Sequence, residues 1–418
     1  MRISLFTLVF LLIASFSFAQ SSFYALSLFL NSEYTDNLFL TNTDKTDDII
    51  SVFGASFAAN RATKISSMDL SYSLSRSYYW NREGSDSFRH NLSFDYDRSL
   101  SKHLNFSWKN IYYRTEEPIE PSTLVFEERR GERRPYYRIN SSLDTSYEYY
   151  KNSFVRFGLS LNYLQNESPL TEDSRSYTEF VSLSRDFVKY FIESRFSATQ
   201  REFEQTPSVQ TWSAEASGGY KIAHNKKVSL KFSIDRTQDK SPTGEDYWVY
   251  SSDVTYSWNP TRKDSYHFSL GYFVKKGDDK GKDSDGITFS LDYSRKFRLT
   301  TFSISGSGGY RYRYVEAENT GFTKYYLISA DISRKLSRRT SVSSSFSYRW
   351  EDDLRGVRNT YVFSAAIAHQ ITKKISGSIS YSFRKVSADY SQDEYTVNTV
   401  FLSFSYRFWQ AKHLPWNL

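Results

Sequence analysis

The sequence predicts an all-β chain: a single antiparallel transmembrane β-barrel of about 20 strands (roughly 18–22), with short periplasmic turns and longer extracellular loops. Three observations predict it. Apolar and polar residues alternate with period two along most of the chain. The breaks in that alternation are of two kinds, which themselves alternate. The composition is aromatic-rich and polar at once.

The alternation is clearest in three segments. Ile375, Gly377, Ile379, Tyr381 and Phe383 alternate with Ser376, Ser378, Ser380, Ser382 and Arg384. Val342, Ser344, Phe346, Tyr348 and Trp350 alternate with Ser341, Ser343, Ser345, Ser347 and Arg349. Phe88, His90, Leu92, Phe94 and Tyr96 alternate with Arg89, Asn91, Ser93, Asp95 and Asp97. Successive side chains of a strand point to opposite faces, so each segment has one apolar and one polar face. Strands are expected from near Phe23–Asn31 and Ile49–Ala58 through to Val397–Trp409.

One kind of break is short and basic: 59–64, 99–103, 224–227, 260–263, 337–339 and 372–374. The other is longer and richer in acids, Gly and Pro: 116–135, 166–175, 238–246, 277–286, 315–323 and 388–394. Short turns at one end and long loops at the other are the layout of an outer-membrane barrel. A β-sandwich lacks this two-ended asymmetry.

Tyr (34), Phe (33) and Trp (8) make up 18% of the chain, yet the mean hydropathy is -0.59. That combination suits a wall with aromatics outside and a wet, polar inside. There are no cysteines, which excludes a disulfide framework, a thiolate metal site, a Cys nucleophile and a lipoprotein anchor. The formal charge of +7 comes from 54 basic and 47 acidic residues that are dispersed, so no nucleic-acid partner is expected.

At the start, Arg2 precedes an apolar run from Leu5 to Ala14 and a small-x-small box, Ser17-Phe18-Ala19. This reads as a secretory signal peptide over 1–19, too short to be a comfortable membrane anchor. The expected organisation is then a barrel over 20–409 and a C-terminal tail over 410–418. Localisation in the outer membrane of a Gram-negative-type cell follows. In the last strand Val400, Leu402, Phe404, Tyr406 and Phe408 share a face. That pattern resembles the recognition signal of barrel-insertion machinery, although the chain continues beyond Phe408. Outward aromatics at the headgroup level are expected at Tyr78, Tyr79, Trp80, Tyr112, Tyr113, Tyr136, Tyr137, Trp248, Tyr250, Tyr310, Tyr312 and Tyr314.

The stretch Glu33-Tyr34-Thr35-Asp36-Asn37-Leu38-Phe39-Leu40, followed by Asp47-Asp48-Ile49-Ile50, resembles the opening of a family of outer-membrane β-barrel porins associated with exopolysaccharide loci. The resemblance implies a channel or an envelope-polysaccharide role, with polysaccharide-export components as partners. It carries over no catalytic residues.

Charges that fall on the polar face cannot sit in lipid, where Arg or Lys at mid-bilayer costs about 2–4 kcal/mol. Candidate lumen-facing cations are Lys109, Arg156, Arg195, Lys231, Lys275, Arg311, Arg313, Arg349, Arg384 and Arg407. Candidate anions are Asp95, Glu193, Glu215, Asp235, Asp253, Asp292 and Asp331. Two readings stand side by side: a polar conduit with a slight cationic lean, or a salt-bridged interior that stiffens the wall. The longest loop carries Glu127, Glu128, Arg129, Arg130, Glu132, Arg133 and Arg134. Folded inward, they form a constriction with a transverse field; left outside, they form a solvated surface loop.

No catalytic site, cofactor or metal site is expected. The six histidines are scattered without ligand spacing, and the acids around 278–285 are interleaved with lysines, which disfavours Ca²⁺. The expected function is a passive, porin-like channel that passes polar solutes or exports polysaccharide. The alternative is a structural or assembly barrel with a closed lumen, and beyond it an outer-membrane hydrolase.

Overall fold

A computed structural model describes residues 21–411, apart from 83–84, 118–132, 169–171, 205, 241–243, 279–281, 316–317 and 354. Side chains at 21, 312–315, 318–320, 392 and 411 also lie outside the described residues. The described residues form twenty strands. The first five are β1 (Ser21–Thr35), β2 (Asp48–Ala62), β3 (Ser66–Tyr79), β4 (Ser87–Ser99) and β5 (Leu104–Thr115). Next come β6 (Tyr136–Tyr150), β7 (Ser153–Asn166), β8 (Ser174–Asp186), β9 (Tyr190–Phe203) and β10 (Val209–Ala223). They are followed by β11 (Lys226–Asp239), β12 (Tyr247–Trp258), β13 (Asp264–Gly277), β14 (Ser284–Lys296) and β15 (Thr300–Val315). The last are β16 (Glu318–Lys335), β17 (Thr340–Asp353), β18 (Gly356–Gln370), β19 (Ile375–Ala388) and β20 (Tyr395–Ala411).

Each strand pairs antiparallel with the next, and β20 pairs back with β1. The sheet is therefore a closed meander barrel without a free lateral edge along most of its height. With an even strand count, Ser21 and Ala411 both lie at the short-turn end.

The two faces of the alternation become the two faces of the wall. Leu28, Phe53, Leu74, Phe232 and Ile328 are exposed on the outer face. The inner face is knitted by hydroxyls on neighbouring strands. Examples are Ser345 to Ser364 at 2.6 Å, Ser305 to Ser329 at 2.6 Å and Thr178 to Thr199 at 2.9 Å. At the short-turn end an outer aromatic girdle links Tyr190 with Tyr220 (ring centroids 5.2 Å apart), Trp258 with Tyr266 (5.3 Å) and Tyr266 with Tyr293 (4.8 Å).

Three sequence expectations are corrected. The first two strands run beyond 23–31 and 49–58, because the ladders continue through polar rim residues such as Asp48 and Arg61. The expected loop over 315–323 is a strand hairpin: β15 continues to Val315 and β16 begins at Glu318. Tyr79, Tyr113, Tyr136 and Tyr310 are not on the outer face. Tyr79, Tyr113 and Tyr136 follow or precede outward residues, so the period of two turns them toward the axis. Tyr310 is turned inward by a bend of its hairpin, described below.

Candidate functional site

Accessibility of the inner wall changes along the axis. On β3, Asp69 and Ser71 are exposed, whereas Ser75, Ser77 and Tyr79 are buried. On β19, Ser376 is exposed while Arg384 and Val386 are buried. On β20, Arg407 is exposed while Val397 and Tyr395 are buried. The short-turn end is therefore a vestibule, and the long-loop end is packed from several sides.

The first packing element is the loop after β1. Asn37 is fully buried; its side-chain amide donates to the Thr41 carbonyl (2.7 Å) and the Thr396 carbonyl (3.0 Å), and its Oδ1 accepts from the Thr41 amide (3.0 Å). Asp36 holds Asn398 through its amide (2.7 Å) and side chain (2.6 Å). The Asp36 bonds anchor the start of the loop to β20, and those of Asn37 turn it inward. Leu38 then packs with Ile50, Val52 and Tyr79, and Leu40 with Val386, Tyr395 and Val397. The stretch 33–40 thus acts here as a loop-folding device.

The second element is a charged knot beside that loop. One oxygen of Glu116 accepts from Ser77 Oγ (2.6 Å), Tyr79 OH (3.1 Å), Arg89 Nε (2.9 Å) and Arg89 Nη2 (2.7 Å). Glu117 takes Arg89 Nη1 at 2.6 Å. Burial pushes the Glu116 carboxyl upward, but the Arg89 charge and the hydrogen bonds it accepts outweigh burial and hold it below the ordinary glutamate range. Arg133, from the far end of the same long loop, is buried and donates to the Leu38 carbonyl at 3.0 Å.

The third element is the β15–β16 hairpin. The β14–β15 ladder stops at Phe289 and Gly308, although β14 continues to Ser284 and β15 to Val315. Above that point the hairpin turns into the barrel. Tyr310 OH donates to Asp235 on β11 at 2.6 Å, and its ring lies 4.9 Å from Phe273 on β13. Phe322 lies 5.6 Å from Tyr247 and 5.9 Å from Phe273. Lys275, paired with Glu245 at 2.6 Å, caps this cluster with its ammonium 5.0 Å from the Phe322 ring. Two glycines permit the turn. A side chain on Gly308 would meet the Phe289 and Tyr326 rings, and Gly309 has φ +153°, which other residues rarely adopt.

On its other face the hairpin presents Arg311 to Glu351 of β17. Arg349 reaches the same carboxylate at 3.9 Å, and Arg358 is its direct cross-strand neighbour. Arg384 on β19 faces Val362 of β18 on the same inner face.

The register sets Lys109, Arg156, Arg195, Lys231, Arg349 and Arg384 toward the axis, together with Lys275 and Arg407. Asp95, Glu193, Glu215, Asp235, Asp253, Asp292 and Asp331 share that face. Some meet in a ladder of alternating sign. Arg195 faces Glu215, Glu215 binds Lys231 at 2.9 Å, Lys231 faces Asp253, and Asp253 accepts from Thr288. Lys109 faces Asp95 in the same way. The Arg313 side chain lies outside the described residues, as do Glu127, Glu128, Arg129, Arg130 and Glu132. Arg134 is exposed.

Sequence reasoning missed Arg89, Glu116, Asn37 and the Phe273–Phe322 cluster. Leu38 and Leu40, two apolar residues at spacing two inside a polar loop, were a usable signal for the inward fold. Ser257 Oγ lies 2.9 Å from His267 Nδ1, with Asp292 next across the ladder. Similar hydroxyl contacts occur at Tyr72–His90 and Thr340–His369, as expected where hydroxyl-rich strands flank a histidine. Among the described residues no group of three or more His, Cys, Asp or Glu is placed to hold a metal.

No family model and no curated protein matches the chain. Solved structures do. The copper transporter OprC aligns with TM-score 0.50 at 10% identity, covering 92% of this chain and 80% of that one. The siderophore receptor PirA from Pseudomonas aeruginosa gives TM-score 0.50 at 8% identity, covering 91% and 80%. The outer membrane protein OpdK from the same organism gives 0.42 at 9% identity, covering 94% and 100%. At these identities the likeness is one of fold: the chain is a closed, 20-stranded antiparallel barrel of the outer-membrane type.

Proposed function

We propose that the protein is a passive channel for small polar solutes across the outer membrane of a Gram-negative-type cell, exported by a signal peptide removed after Ala19. One observation carries this reading. The closed barrel has twenty strands and a polar inner wall that is accessible from the short-turn end. Barrels of about 16–18 strands, as in porins, are too wide for side chains to fill and leave an aqueous lumen, while those of about 22 strands are plugged; twenty strands leave room for a channel. The inward loop 36–47, the arm at Arg133 and the β15–β16 hairpin narrow that lumen at the long-loop end. The inner wall beside that narrowing carries charges of both signs, among them Arg311, Arg349 and Glu351.

Planar-bilayer recording tests the proposal. The expected result is stepwise conductance that grows with salt concentration. Silence at every voltage and with every solute would sink the channel and leave a structural or assembly barrel. Polysaccharide passage is a narrower reading, and its support is the resemblance of 33–40. The inner aromatics Tyr79, Tyr136, Tyr247 and Phe273 are buried in clusters, so they offer no open track for sugar rings. Deleting the gene and measuring surface polysaccharide decides it: unchanged polysaccharide with slower solute uptake leaves the plain channel.

A further inference from the structure

The two ends of the barrel carry opposite charge. Nine short turns close the lower end, at 63–65, 100–103, 151–152, 187–189, 224–225, 259–263, 297–299, 336–339 and 371–374. Together they hold eleven Lys and Arg residues and no Asp or Glu. The described parts of the ten connections at the opposite end hold seventeen acidic and seven basic residues. Among the connections, the basic excess therefore lies at the short-turn rim and surrounds it.

Five of these turns share one construction. In each, a Ser or Thr hydroxyl accepts from the backbone N–H groups two and three residues on. Thr63 takes Ile65 (3.3 Å) and Ser66 (2.9 Å), and Thr261 takes Lys263 (3.0 Å) and Asp264 (3.2 Å). Ser337 takes Arg339 (3.1 Å) and Thr340 (3.0 Å), and Thr372 takes Lys374 (3.1 Å) and Ile375 (3.0 Å). Ser101 does the same with His103 and Leu104. The residue after the hydroxyl is basic every time: Lys64, Lys102, Arg262, Arg338 and Lys373. The cap sets the cation at the tip of the turn.

A second feature indicates what faces the rim. Six of the nine turns also expose a large apolar residue: Ile65, Leu100, Val188 (92% exposed), Phe297, Leu336 and Ile371. Immediately above them runs the aromatic girdle of Tyr190, Tyr220, Trp258, Tyr266 and Tyr293. Such a girdle marks the headgroup level. The turns therefore lie where a hydrocarbon side chain reaches acyl chains and a long cationic one reaches phosphates. A water-soluble acidic protein would complement the cations but would gain nothing from apolar residues spread around the whole circumference.

We propose that this rim is a binding collar for anionic phospholipid headgroups in the membrane leaflet at the short-turn end. The inference rests on the membrane-spanning reading but not on channel activity. The collar fixes how deep the barrel sits and gathers acidic lipids around the vestibule mouth.

The full chain, refolded into vesicles, tests both levels separately. Tryptophan quenching by brominated phosphatidylcholine reports whether the barrel is in the bilayer at all. Brominated phosphatidylglycerol mixed with plain phosphatidylcholine reports lipid preference. The expected result is a several-fold preference for phosphatidylglycerol at low salt, falling toward parity at about 1 M salt, where the Debye length is only ~3 Å. The variant Arg338→Gln, Arg339→Gln, Lys373→Gln, Lys374→Gln should lose part of that preference while remaining quenched by phosphatidylcholine. If the variant does not insert, the salt dependence of the unaltered chain still decides. Equal quenching by both lipids at low salt overturns the collar, as does a preference that salt leaves unchanged. Absence of quenching by any lipid overturns the membrane reading itself.

Discussion

At the scale of single residues, Glu116 and Arg89 are the side chains whose loss the barrel should feel most. Both are largely buried, and each is the other's main partner. Removing one member of a buried pair leaves an uncompensated charge, at a cost of about 3–5 kcal/mol. Arg89→Ala should therefore lower the temperature at which the long-loop end loosens, read as increased protease cleavage of the loops before the barrel unfolds. Arg89→Lys should fall between, because an ammonium cannot make the forked contact to Glu116 and Glu117. The pH dependence has a definite sign. A carboxyl held below its ordinary value contributes stability that is present above the unfolded value and is lost as pH falls through the folded one. Channel noise should thus stay constant through mildly acidic pH and rise only below the ordinary glutamate range. In Glu116→Gln that acid-induced rise should be diminished. None of this was legible in the sequence. Arg89 and Glu116 lie 27 residues apart, and the alternation says only that Arg89 points inward.

At the scale of elements, the strands and their facing were legible because a period of two needs no tertiary information. Ser345 opposite Ser364 and Lys231 opposite Asp253 are neighbours that the polar face provides once register is set. The inward hairpin was not legible. Tyr310 shares parity with Phe302 and Ile304, so alternation assigns it to the lipid face. Only the run Gly306-Ser307-Gly308-Gly309 hints that the strand bends there. The hairpin's hold on the wall is an aromatic cluster and a hydrogen bond. Truncating a fully buried Phe costs about 3–5 kcal/mol; Phe322 is partly buried, so Phe322→Ala should cost less than that, yet release the tip and raise single-channel conductance. Gly309→Val should do the same by a different route, because the required φ costs a branched residue about 1–3 kcal/mol. Unchanged conductance in both variants would mean that the hairpin does not limit flow.

At the scale of the whole molecule, the barrel is a funnel with unlike rims. The strand count was readable to within two strands, and the two kinds of connection were readable from length and charge. The packing of the long-loop end was not, since it depends on which loops turn inward. The closed ladder predicts resistance to denaturation: an unheated sample on a detergent gel should migrate apart from a boiled one. Co-migration, or a helical circular-dichroism spectrum, would contradict a closed barrel.

The end of the β14–β15 ladder has a consequence for insertion depth. Backbone groups without partners cannot remain in hydrocarbon, where each costs several kcal/mol. The stretch of β14 above Phe289 and the facing stretch of β15 above Gly308 lack each other's hydrogen bonds. The hydrocarbon boundary must therefore pass at or below that level. The seam at one rim thus sets an upper limit to how far the bilayer can climb the wall, while the girdle at Tyr293 marks the lower headgroup level. Nitroxide labels should report it. A label at Ile287 should be relaxed by a polar reagent and one at Leu291 by oxygen, with the crossover between them.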